Sequence, residues 1–247
     1  MRFRSLIAIA CLLSACARPQ LPPRELHVAA ASDLIRVLKD LSAAFERVTH
    51  IRVVTTFGPT GQLTQQIENG APYDVFLAAD VSHVAQLVSR GDALADSSFV
   101  FARGRLAVWA PARPGLNTLD GLTGPDIRVI ALAKPELAPY GAAALETLQS
   151  VALWNQVEKK VVYAPSIAIA KQFADTGNAD AAFTALALVK GDSGHYFVVD
   201  EKLHKPIDEA VCIMKASASL EDARVFTRFL AGEESRAILK RFGFTTN

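Results

Sequence analysis

The sequence predicts an α/β protein of two lobes, each built around a mostly parallel β-sheet flanked by helices. Short apolar runs rich in β-branched residues alternate with amphipathic helical segments, which is the pattern of repeated βαβ units. Apolar residues make up 51% of the 247 residues, enough to give two lobes cores of their own. Strand-like segments at 98–110 and 210–214 interrupt the alternation, and we expect the chain to cross between lobes there.

The first lobe is predicted to begin with three βα units. Apolar residues at helical spacing predict a helix over 33–47, and Ser32 is a suitable N-cap for it. The tight turn Gly58-Pro59-Thr60-Gly61 opens the second helix, and Asp80 caps the third. The predicted strands are 26–31, 51–57 and 75–79, and the helices after the first are 62–69 and 81–89.

A second βα system is predicted to start near Leu119 and to form the other lobe. Its predicted strands are 127–133, 161–163, 181–184 and 195–199, and its helices are 142–151 and 167–175. Two more helices, 220–230 and 233–241, follow the return strand. We therefore expect one lobe made of 24–102 with 213–247, and a second lobe made of 103–212.

The N-terminus has the features of an export signal. Arg2 and Arg4 precede an apolar run that is too short to span a bilayer, so residues 1–15 are predicted to be a signal peptide. The run ends in Leu13-Ser14-Ala15-Cys16, which resembles the lipobox of bacterial lipoproteins and implies lipidation at Cys16. The alternative is an ordinary signal peptide with an incidental cysteine. If Cys16 carries lipid, residues 16–23 tether the folded protein to the membrane. In either case we expect the protein to lie in the periplasm.

Charge, cysteine content and missing motifs argue against a nucleic-acid-binding protein, a disulfide-stabilised domain and an enzyme. The net charge is +1, with acids and bases interleaved, so the basic face of a nucleic-acid-binding protein is missing. Cys212 is the single cysteine beyond residue 16, so no disulfide is expected within the mature domain, and its apolar surroundings predict a buried thiol. No P-loop, dinucleotide-binding, HExxH or GxSxG motif occurs, and the five histidines have no ligand-type spacing. We predict neither an enzyme nor a metal or cofactor site.

Two hydroxyl-bearing turns indicate an anion site. Ser32 follows the first strand and Thr60 follows the second, and each opens a helix. Ligands of open α/β sheets bind beyond the carboxyl ends of the strands, where helix N-termini present unpaired N–H groups. The alternative is that both hydroxyls only cap their helices.

An ordered set of motifs resembles the molybdate-binding proteins of ABC importers. The motifs are 28–34 (VAAASDL), 57–63 (FGPTGQL), 70–80 (GAPYDVFLAAD), 139–143 (PYGAA), 176–180 (TGNAD) and 241–244 (RFGF). The resemblance implies a two-lobed type II periplasmic-binding-protein fold that closes on molybdate or tungstate. It also implies an ABC permease as partner, a monomer, no cofactor, and an anion held by neutral hydrogen-bond donors.

Position by position, the resemblance implies five ligand-binding residues: Ser32, Thr60, Gly61, Tyr140 and Ile167. The sequence departs from the family at Ala185, where some members have a ligand tyrosine that Tyr140 would replace. Asp33 also places a carboxylate beside Ser32, and we expect it to point outward along the first helical turn. The alternative is that it faces the anion, where it would repel it or favour a protonated oxyanion whose proton it could accept. Other oxyanions (sulfate, phosphate or thiosulfate) and a sensor or adaptor role on the same fold are the alternatives.

Overall fold

The computed structural model describes residues 24–246 and consists of two lobes, each with a five-stranded sheet between helices. The predicted signal peptide, the lipid site at Cys16 and the whole tether lie outside the described residues. In each sheet four strands run in one direction and one runs against them, so the sheets are mixed, with a parallel majority. The prediction of a two-lobed α/β fold is confirmed.

The first sheet has the order β2-β1-β3-β10-β4. A single 3-10 turn, Ser32–Leu34, joins its first strand to the first helix. The strands are β1 (Glu25–Ala31), β2 (Arg52–Gly58), β3 (Val75–Ala78), β4 (Phe99–Gly104) and β10 (Ile207–Ile213), and the helices of this lobe are α1 (Ile35–Thr49), α2 (Thr60–Glu68), α3 (Val81–Arg90), α8 (Leu220–Leu230) and α9 (Glu233–Arg241).

The second sheet has the order β7-β6-β8-β5-β9. Each sheet therefore has its antiparallel strand next to an edge, and in both cases this is the strand by which the chain enters the lobe from the other one. The strands are β5 (Leu106–Trp109), β6 (Ile130–Ala133), β7 (Val161–Ala164), β8 (Ala181–Ala185) and β9 (Tyr196–Val198), and the helices are α4 (Pro139–Ser150), α5 (Trp154–Val157), α6 (Ile167–Asp175) and α7 (Leu186–Val189).

The chain crosses between the sheets twice. Arg105 alone separates β4 from β5, so the first crossing lies within the predicted segment. The return lies between Val198 and Ile207, because β10 pairs with β3 and β4 of the first sheet. All of β10 therefore belongs to the first sheet, whereas the expected boundary at 212/213 assigned residues 207–212 to the second lobe. The expectation missed this because the strand begins three residues earlier than its apolar run suggested.

The two lobes are in direct contact, and the largest apolar cluster contains residues of both, among them Leu34 and Phe183. Polar bonds also bridge the lobes: Arg36 on α1 donates to the Leu188 carbonyl and to Asp192, each at 2.9 Å. Cys212 is fully buried beside Phe76 and Met214, as predicted, and burial raises the pKa of its thiol to about 12. Among residues 24–246, no helix is both long and apolar enough to cross a membrane.

Candidate functional site

A small cavity, with a volume of about 10 Å³, lies in the cleft between the lobes. Its walls come from the carboxyl ends of strands and from the first residues of helices in both lobes. The first lobe contributes Ala31, Ser32, Asp33, Gly58, Pro59, Thr60 and Ala79, and the second contributes Ala138, Pro139, Tyr140, Ser166 and Ile167. Four of the five sequence-predicted site residues therefore line one cavity.

Ser32 is the first residue of the 3-10 turn that follows β1, and it is 6% exposed. The prediction that it caps the helix is wrong, because the turn starts at Ser32 itself and Ala31 takes the capping position without a side-chain bond. Within the described residues the Ser32 hydroxyl has no protein partner. It is therefore available to a ligand.

Thr60 is the first residue of α2 and is 1% exposed. Its hydroxyl oxygen accepts a hydrogen bond of 3.2 Å from the backbone N–H of Ala79, and it makes no capping bond to its own helix. Because a hydroxyl has one proton to donate and this oxygen already accepts, the proton remains for an acceptor in the cavity. The reading of Ser32 and Thr60 as simple caps thus finds no hydrogen bond to support it.

The second lobe presents the N-termini of α4 and α6 to the same cavity. Tyr140 is the second residue of α4 and is 2% exposed, and its hydroxyl donates to the Glu209 carboxylate at 3.3 Å. Ile167 is the first residue of α6. The preceding residue, Ser166, is the N-cap, and its hydroxyl accepts a hydrogen bond from Ile169 N–H. The Ile167 side chain belongs to the core, so its contribution to a ligand would come from the backbone.

Gly61 does not line the cavity. Its N–H donates to the Leu137 carbonyl at 2.9 Å, which is a bond from the first lobe to the second. A Cβ at Gly61 would lie 3.2 Å from that carbonyl oxygen, so glycine permits the close approach of the two backbones. Gly61 therefore contributes to the contact between lobes, and its N–H is already engaged.

The helix ends at the cavity favour an anion. The N-terminal ends of α2, α4 and α6, and of the 3-10 turn that leads into α1, meet there, and each such end carries about half a positive charge in unpaired N–H groups. No lysine or arginine lines the cavity within the described residues, and these residues contain no cluster of ligands suited to a metal ion. The site therefore offers neutral donors and helix dipoles in place of a counter-ion.

Asp33 faces the cavity and is 1% exposed, so the expectation that it points outward is wrong. Its carboxyl group lies within hydrogen-bonding reach of the Glu209 carboxyl. Short 3-10 geometry before α1 turns the residue after Ser32 inward, whereas an α-helical first turn was assumed. The carboxylate is thus part of the site.

Sequence reasoning missed Glu209. It lies on β10, is fully buried, and sits at the irregularity in the pairing of β10 with β4. A Cβ at Gly104 on β4 would overlap the Tyr140 hydroxyl, so the absence of a side chain there lets Tyr140 reach Glu209. The available signal was an acidic residue at the edge of an otherwise apolar run, adjacent to Asp208.

Burial dominates the ionisation of this cluster. Burial raises the pKa of Asp33 to about 6 and raises the pKa of Glu209 well above its usual value, where the nearby Asp33 charge adds to the effect. Two adjacent buried carboxyl groups cannot both ionise at moderate pH, so the pair holds a shared proton. Burial also raises the pKa of Tyr140, and the charges of Asp33 and Glu209 add to this effect. The Tyr140 hydroxyl therefore stays protonated and acts as a donor.

The carboxyl pair is expected to make stability fall as pH rises. A raised native pKa means that the folded protein binds protons more tightly than the unfolded chain does. The stabilisation is therefore complete below the unfolded value of about 4 and is lost as pH rises through 6 and beyond. We expect E209Q to reduce the loss of unfolding free energy between pH 5 and pH 8 by about 1–3 kcal/mol, measured by urea denaturation.

The neighbouring carboxyl group supplies the control for this measurement. The Asp208 side chain is partly exposed and pairs with Arg103 of β4 at 2.7 Å. As the residue before Glu209 on the strand, it points to the opposite face of the sheet. D208N should therefore keep the wild-type dependence on pH. Equal pH dependence in E209Q and wild type would contradict a proton held by the buried pair.

A family model and curated relatives both match nearly the whole described chain. Residues 26–245 match the family described as bacterial extracellular solute-binding protein. Molybdate-binding protein ModA of Azotobacter vinelandii is 35% identical over 98% of this chain and 96% of its own length. ModA of Rhodobacter capsulatus is 34% identical over 90% of this chain and 88% of its own length.

A solved structure agrees with the sequence matches. The periplasmic molybdate-binding protein of Azotobacter vinelandii superimposes with a TM-score of 0.86 at 32% sequence identity. The alignment covers 90% of this chain and 99% of that protein. The likeness thus includes both lobes and the cleft between them.

Proposed function

The chain belongs to the bacterial extracellular solute-binding proteins, and we propose that it captures molybdate, or tungstate, for an ABC importer. The curated relatives named molybdate-binding protein ModA support this anion. In this proposal Ser32 and Thr60 donate from their hydroxyls, Tyr140 closes the site from the second lobe, and Ile167 contributes its backbone N–H.

The observation that carries the proposal is the state of the two hydroxyls. Ser32 has no protein partner among the described residues, and Thr60 has its oxygen occupied by Ala79 N–H, which leaves both protons for the cavity. Donors fixed in a dry cavity select an anion by size and geometry, because each donor left unfilled costs about 1–3 kcal/mol. A tetrahedral dianion with four acceptor oxygens fits a ring of such donors.

The test is calorimetry on the chain from residue 16 onward, with C16S to prevent lipidation. Molybdate and tungstate should each release heat with one-to-one stoichiometry and raise the melting temperature, while sulfate and phosphate should bind far more weakly. Tight binding of sulfate or phosphate in preference to molybdate would replace the proposed anion. Absence of binding by all four anions would overturn the function.

The location and attachment of the protein complete the proposal. We place it in the periplasm as a monomer, held to a membrane through lipid at Cys16, where it delivers its anion to the permease of the importer. The lipobox-like run 13–16 supports the anchor. Labelling of the expressed protein with a fatty-acid analogue should depend on Cys16, and unchanged labelling of C16S would remove the anchor from the proposal.

A further inference from the structure

Three buried carboxyl oxygens of the site have no partner in the protein. Both oxygens of Asp33 and Oε2 of Glu209 are inaccessible and unbonded among the described residues, while Oε1 of Glu209 accepts from Tyr140. A buried acceptor without a donor is costly, and the pair lies against a cavity suited to an anion. A proton between the two carboxyl groups removes part of this cost.

Among residues 24–246, no side-chain cation is placed to neutralise the pair. Arg103 and Arg105 flank Gly104 on β4 but pair with Asp208 and Glu201, at 2.7 and 2.6 Å. The other charged group that acts on Glu209 is Asp80, after β3, which is paired with His83 at 2.8 Å. From α4 the pair faces the neutral Tyr140 hydroxyl, and the α6 terminus contributes only the uncharged Ser166 and Ile167.

We propose that the Asp33–Glu209 pair takes up a proton from solvent when the oxyanion binds, and that the protonated Asp33 carboxyl donates a hydrogen bond to the anion. The inference rests on the proposed function of the site. With one shared proton the pair carries one negative charge, which repels a dianion at close range in a dry cavity. A second proton removes that charge and turns Asp33 from an acceptor into a donor.

Asp33 and Glu209 thus have different roles. Asp33 lines the cavity and touches the anion, whereas Glu209 lies behind it and acts as a positioning residue. Glu209 is held in turn by the Tyr140 hydroxyl, so the second lobe contributes to the orientation of the acid in the first. Once an anion is bound and the pair is protonated, all the groups that face the anion are hydrogen-bond donors.

The dependence of affinity on pH follows from linkage. Where binding takes up one proton, the Kd for molybdate rises up to tenfold for each pH unit. It is constant at low pH, where the free pair is already fully protonated, and rises as the free pair loses protons. Molybdate itself remains a dianion between pH 6 and pH 8, so a rise in this range reports on the protein.

The experiment is calorimetry of molybdate binding at pH 6, 7 and 8 in two buffers of different ionisation enthalpy, with the chain from residue 16 carrying C16S. We expect the observed heat to differ between buffers by an amount that corresponds to uptake of up to one proton per anion, with a Kd that rises with pH. D33N should bind without proton uptake and with a constant Kd, E209Q should take up less than wild type, and D208N should behave as wild type.

The outcomes separate this inference from the function on which it rests. Molybdate binding with equal heats in both buffers and a constant Kd would overturn the proton coupling and leave the proposed function intact. Hydrogen phosphate binding tightly without proton release or uptake would also overturn it, since Asp33 would then be an ionised acceptor. Absence of binding by both molybdate and tungstate would overturn both. The wild-type measurement decides the question even if a variant fails to fold.

Discussion

The double variant S32A/T60A is expected to bind molybdate at least a hundredfold more weakly than wild type. A hydrogen bond to a charged group contributes about 1.5–3 kcal/mol, and about 1.4 kcal/mol is a tenfold change in Kd, so two lost donors predict a loss of about two to four orders of magnitude. Calorimetry measures the affinity directly. A loss of only a few-fold would show that these hydroxyls are not the donors of the site.

The single variants separate a binding effect from a folding effect. Removal of the Thr60 hydroxyl leaves the Ala79 N–H without its acceptor, which destabilises the protein independently of any ligand. S32A removes a group that has no partner within residues 24–246, so its melting temperature without ligand should match that of wild type. T60S keeps the hydroxyl and is the matched control, with an expected affinity within a few-fold of wild type.

The variant G141A is expected to destabilise the protein by more than about 3 kcal/mol, because the added methyl group would overpack a contact with rigid backbone. A Cβ at Gly141 would overlap the Ala133 carbonyl oxygen at the end of β6 and lie 2.9 Å from its carbon. Both groups are backbone, so neither can move aside as a side chain would. The first turn of α4 must shift, and Tyr140 shifts with it.

Helix propensity predicts the opposite sign, which makes this result informative. Alanine is more favourable than glycine inside a helix by about 1 kcal/mol, so G141A would be stabilising if the space were open. Urea denaturation gives the sign and size. G115A is the control, because a Cβ at this exposed turn position meets no atom within 4 Å. A stabilised G141A would contradict the close contact between α4 and β6.

The sequence allowed prediction of the parts of the site that follow from topology. The carboxyl ends of parallel strands meet at one edge of a sheet, so hydroxyls that directly follow β1 and β2 were expected to lie together, and Ser32 and Thr60 do. Regular spacing and clear termini likewise placed α6, α8 and α9 at their observed bounds. The helices α5 and α7 were missed because four residues are too few to show helical periodicity.

The acidic part of the site could not be predicted in the same way. Alternation along a strand indicates which face is buried only when the other face meets solvent, and most of β10 is covered on both faces. Whether Glu209 points to the cleft therefore depends on its pairing with β4, which no local pattern records. The direction of Asp33 similarly depends on one 3-10 turn, a difference of a fraction of a helical turn.

The bonds that bridge the lobes have a consequence for kinetics. We expect an anion enclosed between the lobes to leave only after the Gly61–Leu137 and Arg36–Leu188 contacts separate. Its residence time is then governed by the rate of lobe opening, and this rate can change without any change in the groups that touch the anion. A membrane transporter that grips both lobes can therefore speed release by drawing them apart, and it does not need to compete for the anion itself.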